Sequence, residues 1–183
     1  MLIMFIMIVL LLGGVAIWYI GTSNSFKRTN IKVDEAESSI DVCLTQRYDL
    51  LTKLLNATKA YLKHEDELIK KIILLRKLTP SATMSDKCEL SNNIVDCGAR
   101  LGLVFENYPE LKANNVILNL QRQTRIVEDE LQAARLNYNN NVRYYNKMVI
   151  TFPSSFVANR KNYKKRTYFE AVAEKSHDIG LDI

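Results

Sequence analysis

The residues best equipped for chemistry lie in YLKHEDEL, residues 61–68, where one of the chain's two histidines stands among three acids. A zinc-protease helix carries two histidines four residues apart around a glutamate. Here the fourth residue after His64 is Leu68, so that pattern is broken. His64 and Glu67 are three apart and share a helical face, but a metal site would need ligands from other helices, and the other histidine is His177. We interpret the stretch as part of a helix and predict no catalytic residue, metal ligand or cofactor.

The other motifs of catalysis are also missing from the sequence. It contains no glycine-rich phosphate loop, no Cys-x-x-Cys and no G-x-S-x-G, and its cysteines and histidines lack zinc-site spacing. Three cysteines, Cys43, Cys88 and Cys97, do not indicate a disulfide framework and favour a reducing compartment, although pairing of Cys88 with Cys97 stays open. The net charge of +5 permits an anionic partner without requiring one.

The first 20 residues, MLIMFIMIVLLLGGVAIWYI, carry no charged side chain. About 20 apolar residues, rising ~1.5 Å each, cross the ~30 Å hydrocarbon layer of a membrane. A cleaved secretory signal is the alternative, but it would show a basic n-region and a small-residue cleavage site. We therefore predict an uncleaved transmembrane anchor over residues 1–21.

Residues beside this anchor indicate how it is oriented. Trp18 and Tyr19 stand where aromatic side chains favour the membrane interface, and Lys27 and Arg28 follow as the first charged residues. Because basic residues stay on the cytoplasmic side, we predict an external N-terminus and a cytoplasmic location for the rest of the chain. All four residues are predicted lipid contacts.

The soluble part shows the periodicity of long amphipathic helices. No proline or glycine occurs from Ser23 to Thr79, and heptad steps from Val33 give an inward stripe for about six heptads. We expect this helix to continue from the anchor with little interruption. The first stripe positions are Val33, Ile40, Arg47, Leu54, Tyr61, Leu68 and Leu75, and their companions are Glu37, Leu44, Leu51, Thr58, Glu65 and Ile72.

Two further segments repeat the helical pattern. The second begins near Ser85 or Asp86, either of which is a plausible N-cap, and carries apolar residues from Leu90 to Phe105. The third keeps helical spacing from Val116 to Val149 and ends before Pro153. Since no single amphipathic helix can bury its own stripe, we predict an all-α fold, in which the transmembrane helix precedes an antiparallel, coiled-coil-like bundle of three to four long helices. The predicted domains are the anchor (1–21), the bundle (22–152) and a basic C-terminal tail (153–183).

Charged residues on the first stripe suggest a structural role. Arg47 lies between Ile40 and Leu54, and Glu65 occupies a companion position. A charge on a core stripe is unfavourable unless it is paired, and it can set helix register. We predict that Arg47 and Glu65 each pair with a polar group on another helix.

The tail carries a basic cluster interleaved with aromatic residues, with a short helix expected around Tyr163–Glu174. A solvated helix face, contact with anionic lipid and contact with nucleic acid are the three interpretations. The first is the simplest, and the anchor favours lipid over nucleic acid, which we do not expect as a partner. The predicted lipid contacts are Arg160, Lys161, Lys164, Lys165 and Arg166.

Taken together, the motifs resemble the LemA family of bacterial membrane proteins, from the anchor to about Glu170. The most specific run is YPELKAN, residues 108–114. Departures from the family pattern occur at Val127-Glu128-Asp129 and at Asn162-Tyr163. The other matching positions are Asp41, Arg47-Tyr48-Asp49-Leu50, Lys59, Tyr61, His64-Glu65, Leu120-Gln121, Glu128, Arg135, Tyr138-Asn139, Tyr145-Asn146, Phe152-Pro153 and Tyr168-Phe169-Glu170.

The resemblance implies one N-terminal membrane helix and a helical cytoplasmic domain. It gives no enzyme activity or catalytic residue to carry over to this chain. Its recurring polar residues have structural interpretations. Tyr108-Pro109 can begin a turn, because proline at a first helical position loses no needed donor, and Asn114 or Asn115 can cap the third helix. The candidates for hydrogen bonds between helices are Arg47, Asp49, Glu65 and Arg135.

Three functions remain in competition at this stage. The leading hypothesis is a non-enzymatic scaffold that self-assembles at the inner face of the bacterial cytoplasmic membrane and organises or remodels it. The alternative is an adaptor or regulatory subunit of another membrane protein, such as a protease, in envelope maintenance. An enzyme is the third, and it would need a cluster of titratable groups in a cleft, which the sequence does not display.

Overall fold

The structure is a computed structural model that describes residues 1–59, 66–75 and 82–169. In these ranges the chain is all-α, as predicted, and contains no strand. The chain divides into two compact units: unit 1 comprises Met1–Ser38 and Leu136–Tyr168, and unit 2 comprises Ser39–Arg135 and, among the later described residues, Phe169. The helices are α1 (Leu2–Thr58), α2 (Asp66–Leu75), α3 (Met84–Asn107), α4 (Pro109–Lys112), α5 (Asn115–Ile150) and α6 (Ser154–Lys161).

Helix α1 confirms the expected continuity between the apolar N-terminus and the amphipathic segment, because it runs unbroken for 57 residues. Its N-terminal part is long and apolar enough to cross a membrane, and every side chain from Met1 to Trp18 is exposed in the protein. Side chains that find no protein neighbour in this region are free to face hydrocarbon.

The stripe was expected on one helix, but α1 ends at Thr58 and α2 begins at Asp66, so two helices carry it. Burial along both still follows the stripe. Val33, Ile40, Leu54, Leu68 and Leu75 are buried, as are the companion residues of the described range except one. The exception is Glu37, which is half-buried while its neighbour Ala36 takes the core position. A small apolar residue one position away spares the core an unpaired carboxylate.

Helix α3 begins earlier than the sequence suggested. Its N-cap is Thr83, not Ser85 or Asp86, and the Thr83 Oγ1 accepts from the Asp86 N–H at 3.3 Å. Asp86 returns the contact, since its Oδ2 accepts from the Thr83 N–H at 2.8 Å. Two unpaired donors at the helix start are thereby satisfied in a capping box.

The helices of unit 2 have directions that follow from their contacts. Asp41 of α1 meets Lys87 of α3, and later residues of α1 line a cavity with later residues of α3, so these two helices run in the same direction. Arg47 of α1 meets Glu128 of α5, which returns in the opposite direction. This alternation buries one stripe from each helix in a common core.

Unit 1 has an aromatic core of its own. The Phe26 ring packs edge-on against the Tyr145 ring, with centroids 5.9 Å apart. It also contacts the Tyr163 ring at 4.9 Å, with 32° between the ring planes. Helix α6 ends at Asn162, whose left-handed backbone (φ 56°) lets the Tyr163 N–H donate to the Ala158 carbonyl at 2.9 Å. This turn therefore places the Tyr163 ring against the aromatic core of unit 1.

The short helix of the tail is displaced from its predicted position. It lies at Ser154–Lys161, and residues 163–169 form no helix. The reason is that Tyr138 and Asn146 of α5 make hydrogen bonds to the backbone of this segment. The remainder of the predicted helix, from Glu170 onward, lies outside the described residues.

Candidate functional site: buried arginines between α1, α3 and α5

The stretch that carries His64 and Glu65 lies outside the described residues, as does Tyr61. The predicted pairing of Glu65 therefore stays a prediction. The polar groups that the structure does bring together form a buried cluster in unit 2, built around Arg47 and Arg135.

Arg47 is the most deeply buried charge of this cluster, with 5% of its side chain exposed. Its Nη2 donates to the Glu128 Oε1 at 3.2 Å, which joins α1 to α5. Its Nε is also buried and donates to no acceptor among the described residues. Burial lowers the pKa of the guanidinium, and the Glu128 carboxylate opposes that shift.

Arg135 lies on α5 and is half-buried. Its Nη2 donates to the Ser91 Oγ of α3, and its guanidinium stacks 4.7 Å from the centre of the Phe169 ring. Its Nε, like that of Arg47, has no acceptor in the described part of the chain. Burial, followed by the positive charge of Arg47, lowers the Arg135 pKa. Two cations therefore share a region in which Glu128 is the carboxylate that opposes them.

A buried lysine on α3 was missed by the sequence interpretation. Lys87 is 9% exposed, and its Nζ lies 2.7 Å from the Asp41 Oδ1 of α1. The signal was available, because Lys87 stands three residues after Met84 and three before Leu90, on the apolar face of α3. A long side chain at such a position buries its stem and brings its charge to a partner.

A cavity of about 400 Å³ opens beside Arg47, between α1, α3 and α5. Leu51, Leu54, Leu101 and other buried apolar side chains form its walls. Arg125 and Glu128, both exposed, also line it. The arrangement thus places a buried guanidinium in a largely apolar recess.

The remaining predicted polar and turn residues have simple positions. Asp49 is exposed on α1. Tyr108 precedes α4, and Pro109 is the first residue of that helix, where no backbone donor is needed. The Asn114 Oδ1 accepts from the Val116 N–H at 2.9 Å and so caps the start of α5.

The predicted lipid contacts divide into two groups. Exposed side chains are those of Trp18, Lys27, Arg28, Arg160, Lys161, Lys164 and Lys165, and Tyr19 is half-buried. Arg166 differs, because its Nη2 donates to the Asp34 Oδ1 at 2.5 Å and to the Asn30 Oδ1 at 3.0 Å. Within unit 1 this guanidinium binds α1 and is not a free basic group.

The segment after α6 is fastened to α5 through backbone atoms. Asn146 is buried, its Nδ2 donates to the Arg166 carbonyl at 2.9 Å, and its Oδ1 accepts from the Arg166 N–H at 2.8 Å. The Tyr138 hydroxyl donates to the Thr167 carbonyl at 2.8 Å. These bonds replace the hydrogen bonds that a helix would have supplied, which explains the irregular conformation of residues 163–169.

No disulfide joins Cys43, Cys88 or Cys97, so the pairing of Cys88 with Cys97 that the sequence left open is not formed. Burial raises the pKa of the Cys43 and Cys97 thiols, which keeps both protonated near neutral pH. No group of three or more potential metal ligands lies together within the described ranges.

The sequence model of the LemA family matches residues 36–181 of this chain. The chain belongs to the LemA family. A curated relative, Protein LemA of Metamycoplasma hominis, is 27% identical over 163 residues, which cover 88% of this chain and 74% of that protein.

The family assignment gives the motif residues a structural interpretation. Arg47, Glu128 and Arg135 form the buried cluster of unit 2, and Tyr138 and Asn146 hold the segment after α6 in unit 1. Each of these residues makes a contact that a side chain of different shape or charge would lose. Membership of the LemA family is therefore consistent with the observed packing at every one of these positions.

Proposed function

We propose that this LemA-family chain is a non-enzymatic scaffold that is anchored in the bacterial cytoplasmic membrane and self-assembles at its inner face. The observation that carries the proposal is the unbroken helix α1. Its residues up to Trp18 bury no side chain in the protein, and the same helix continues into the core stripe. A membrane-inserted segment would thus be joined to the folded domain without a linker, which suits a protein that organises or remodels a membrane.

Exposed apolar side chains on unit 2 support self-association. Val95 and Leu103 of α3 are 48% and 62% exposed, and Leu118 and Ile126 of α5 are 46% and 48% exposed. Single exposed apolar residues are ordinary, and a protein partner is favoured where such residues form one patch, which is what we infer for these two helices. In a membrane-anchored protein, a second copy is held at high local concentration.

The charges next to the apolar segment support the orientation. Lys27 and Arg28 are exposed after it, and residues 1–26 carry no basic side chain. The positive-inside rule then favours a cytoplasmic location for the part of the chain that follows the apolar segment. A membrane-impermeant maleimide tests this on a cysteine-free background that carries Glu106→Cys, an exposed position. We expect labelling only after the cells are permeabilised, and labelling of intact cells would reverse the orientation.

The mass of the gently extracted full-length protein tests self-assembly. We expect a large homogeneous particle that contains this chain alone. A monomer at micromolar concentration would contradict the scaffold, and a small particle with a stoichiometric second protein would favour the alternative, an adaptor or regulatory subunit of a membrane enzyme such as a protease.

A variant pair makes this experiment specific. Leu103→Glu places a charge on the exposed apolar surface and should reduce the particle mass without lowering the melting temperature. Glu106→Gln, three residues further along α3 and also exposed, should leave the mass unchanged. An equal particle mass for the unmodified protein and both variants would show that this surface of α3 takes no part in self-assembly.

A further inference from the structure

The cavity of unit 2 has the size and the lining of a small-molecule site. Its volume, about 400 Å³, lies within the ~300–1,000 Å³ range of ligand pockets. Leu51 and Leu54 of α1 and Leu101 and Phe105 of α3 line it, and all four are buried. An apolar ligand body would therefore lie against rigid helix faces and not against loops.

Two glycines keep this space open. Gly98 and Gly102 stand one helical turn apart on α3, and both line the cavity. A Cβ built on either residue would have no atom within 4 Å. The absence of side chains is thus not required by close helix packing, because nothing approaches these positions. The two glycines leave space in the cavity for a bound molecule.

The polar part of the cavity is cationic. Arg47 and Arg125 line it with a single carboxylate, Glu128, so one positive charge is in excess. Arg47 is at least nine-tenths buried, yet its guanidinium makes one hydrogen bond, and its Nε lacks an acceptor among the described residues. A buried donor without a partner is unfavourable, so an acidic group that supplied acceptors here would be stabilised.

We propose that this cavity binds an amphipathic monocarboxylate, which is a short apolar chain or ring with one carboxylate head. The apolar body fills the space beside Gly98 and Gly102, and the head lies at the guanidinium of Arg47. One excess charge matches a monoanion better than a phosphate monoester, which carries nearly two negative charges at neutral pH. The inference concerns a ligand of unit 2 and does not depend on self-assembly or on membrane orientation.

Equilibrium dialysis of radiolabelled octanoate against the full-length protein in lipid nanodiscs tests the proposal. Empty nanodiscs correct for partition into lipid, and octanamide, which has the same chain and an uncharged head, tests the role of charge. We expect saturable binding of octanoate at one molecule per chain. The affinity for octanamide should be lower by a factor of about ten or more. No saturable binding above that of empty nanodiscs, or equal binding of the two compounds, would overturn the assignment.

Cavity-filling variants locate the site. Gly102→Leu projects an apolar side chain into the open space and should weaken octanoate binding about tenfold or more, with an unchanged melting temperature. Ala133→Leu adds similar volume at an exposed position of α5 outside the cavity and should bind as the unmodified protein does. Equal binding by both variants would place octanoate elsewhere and refute the site.

The charge assignment has a variant of its own. Arg47→Met keeps the length and apolar stem of the side chain while removing the guanidinium. We expect this variant to bind octanoate no better than octanamide. If it still preferred octanoate by the original factor, Arg47 would not be the group that recognises the carboxylate, and the proposal would fail.

Discussion

At the scale of single residues, this protein concentrates its polar chemistry where helices meet. Arg47 of α1, Lys87 of α3 and Arg135 of α5 each bind a polar side chain on another helix. Their cost of desolvation is offset only where the partner is present, so the loss of one member has a larger effect than the net contribution of the pair.

The Arg47–Glu128 pair gives the first prediction. Glu128→Ala leaves the buried guanidinium without its carboxylate, so the free energy of unfolding should fall by ~1–3 kcal/mol. Urea denaturation monitored by circular dichroism measures the change. Asp49→Ala, an exposed carboxylate two residues from Arg47, is the matched control and should stay within ~0.5 kcal/mol. A similar loss of unfolding free energy in the two variants would show that the ion pair does not stabilise the fold.

Asn146 gives the second prediction. Its amide makes two hydrogen bonds to the backbone of Arg166 from a buried position, so Asn146→Ala should lower stability by ~1–3 kcal/mol and release residues 163–169 from α5. Amide hydrogen exchange of that segment reports the release. Asn141→Ala, which loses hydrogen bonds to Asn137 within the same helix, serves as control and should leave exchange in residues 163–169 unchanged.

At the scale of elements, helix boundaries depend on caps as well as on apolar periodicity. Helix α3 starts at Met84 because Thr83 and Asp86 satisfy each other's backbone donors. The Thr83 hydroxyl and N–H both donate to the Asp86 carboxylate, and they hold the pKa of Asp86 below its ordinary value. The charged form is the one that the folded helix prefers.

The capping box gives the third prediction. Thr83→Ala should lower stability by ~1 kcal/mol, and Ser85→Ala, an exposed neighbour in the first turn, should have little effect. A depressed folded pKa adds stability above the unfolded pKa, and that stability is lost as pH falls through the folded value. The difference between the unmodified protein and Asp86→Ala should therefore be present at pH 7 and shrink below about pH 4. A pH-independent difference would contradict this coupling.

At the scale of the whole molecule, the apolar N-terminal part of α1 differs from the rest of the described chain. The side chains from Met1 to Trp18 contact no core, and they would face water unless a membrane covers them. The hydrophobic effect then favours insertion, since each buried methylene contributes ~0.8 kcal/mol.

The apolar segment gives the fourth prediction. Leu11→Arg combined with Leu12→Arg places two charges at its middle, each unfavourable by ~2.5–3.5 kcal/mol for insertion. We expect the double variant to be extracted from membranes by alkaline carbonate, while the unmodified protein stays. Asn24→Arg combined with Ser25→Arg adds the same charge at exposed positions beyond the segment and should remain in the membrane fraction. Retention of the Leu11/Leu12 variant would mean that residues 1–20 are not what holds the protein there.

Much of this architecture was predictable from the sequence alone. The charge-free run of 20 residues, the stripe from Val33 to Leu75 and the motif residues around YPELKAN determined the helical class, the continuity of α1 and the LemA family. These features are local or periodic, so they depend on side-chain hydrophobicity and spacing, which any sequence displays directly.

Only the tertiary structure decided which polar groups pair and where the irregular segment lies. Glu128 is 81 residues from Arg47, and Asp41 is 46 residues from Lys87, so no local pattern joins them. Basic residues looked alike in the sequence, yet Arg166 binds Asp34 while Lys164 and Lys165 are exposed. The open space beside Gly98 and Gly102 is likewise a property of three helices together. Pairing and empty volume arise from packing between distant segments, and that packing is what the sequence does not display.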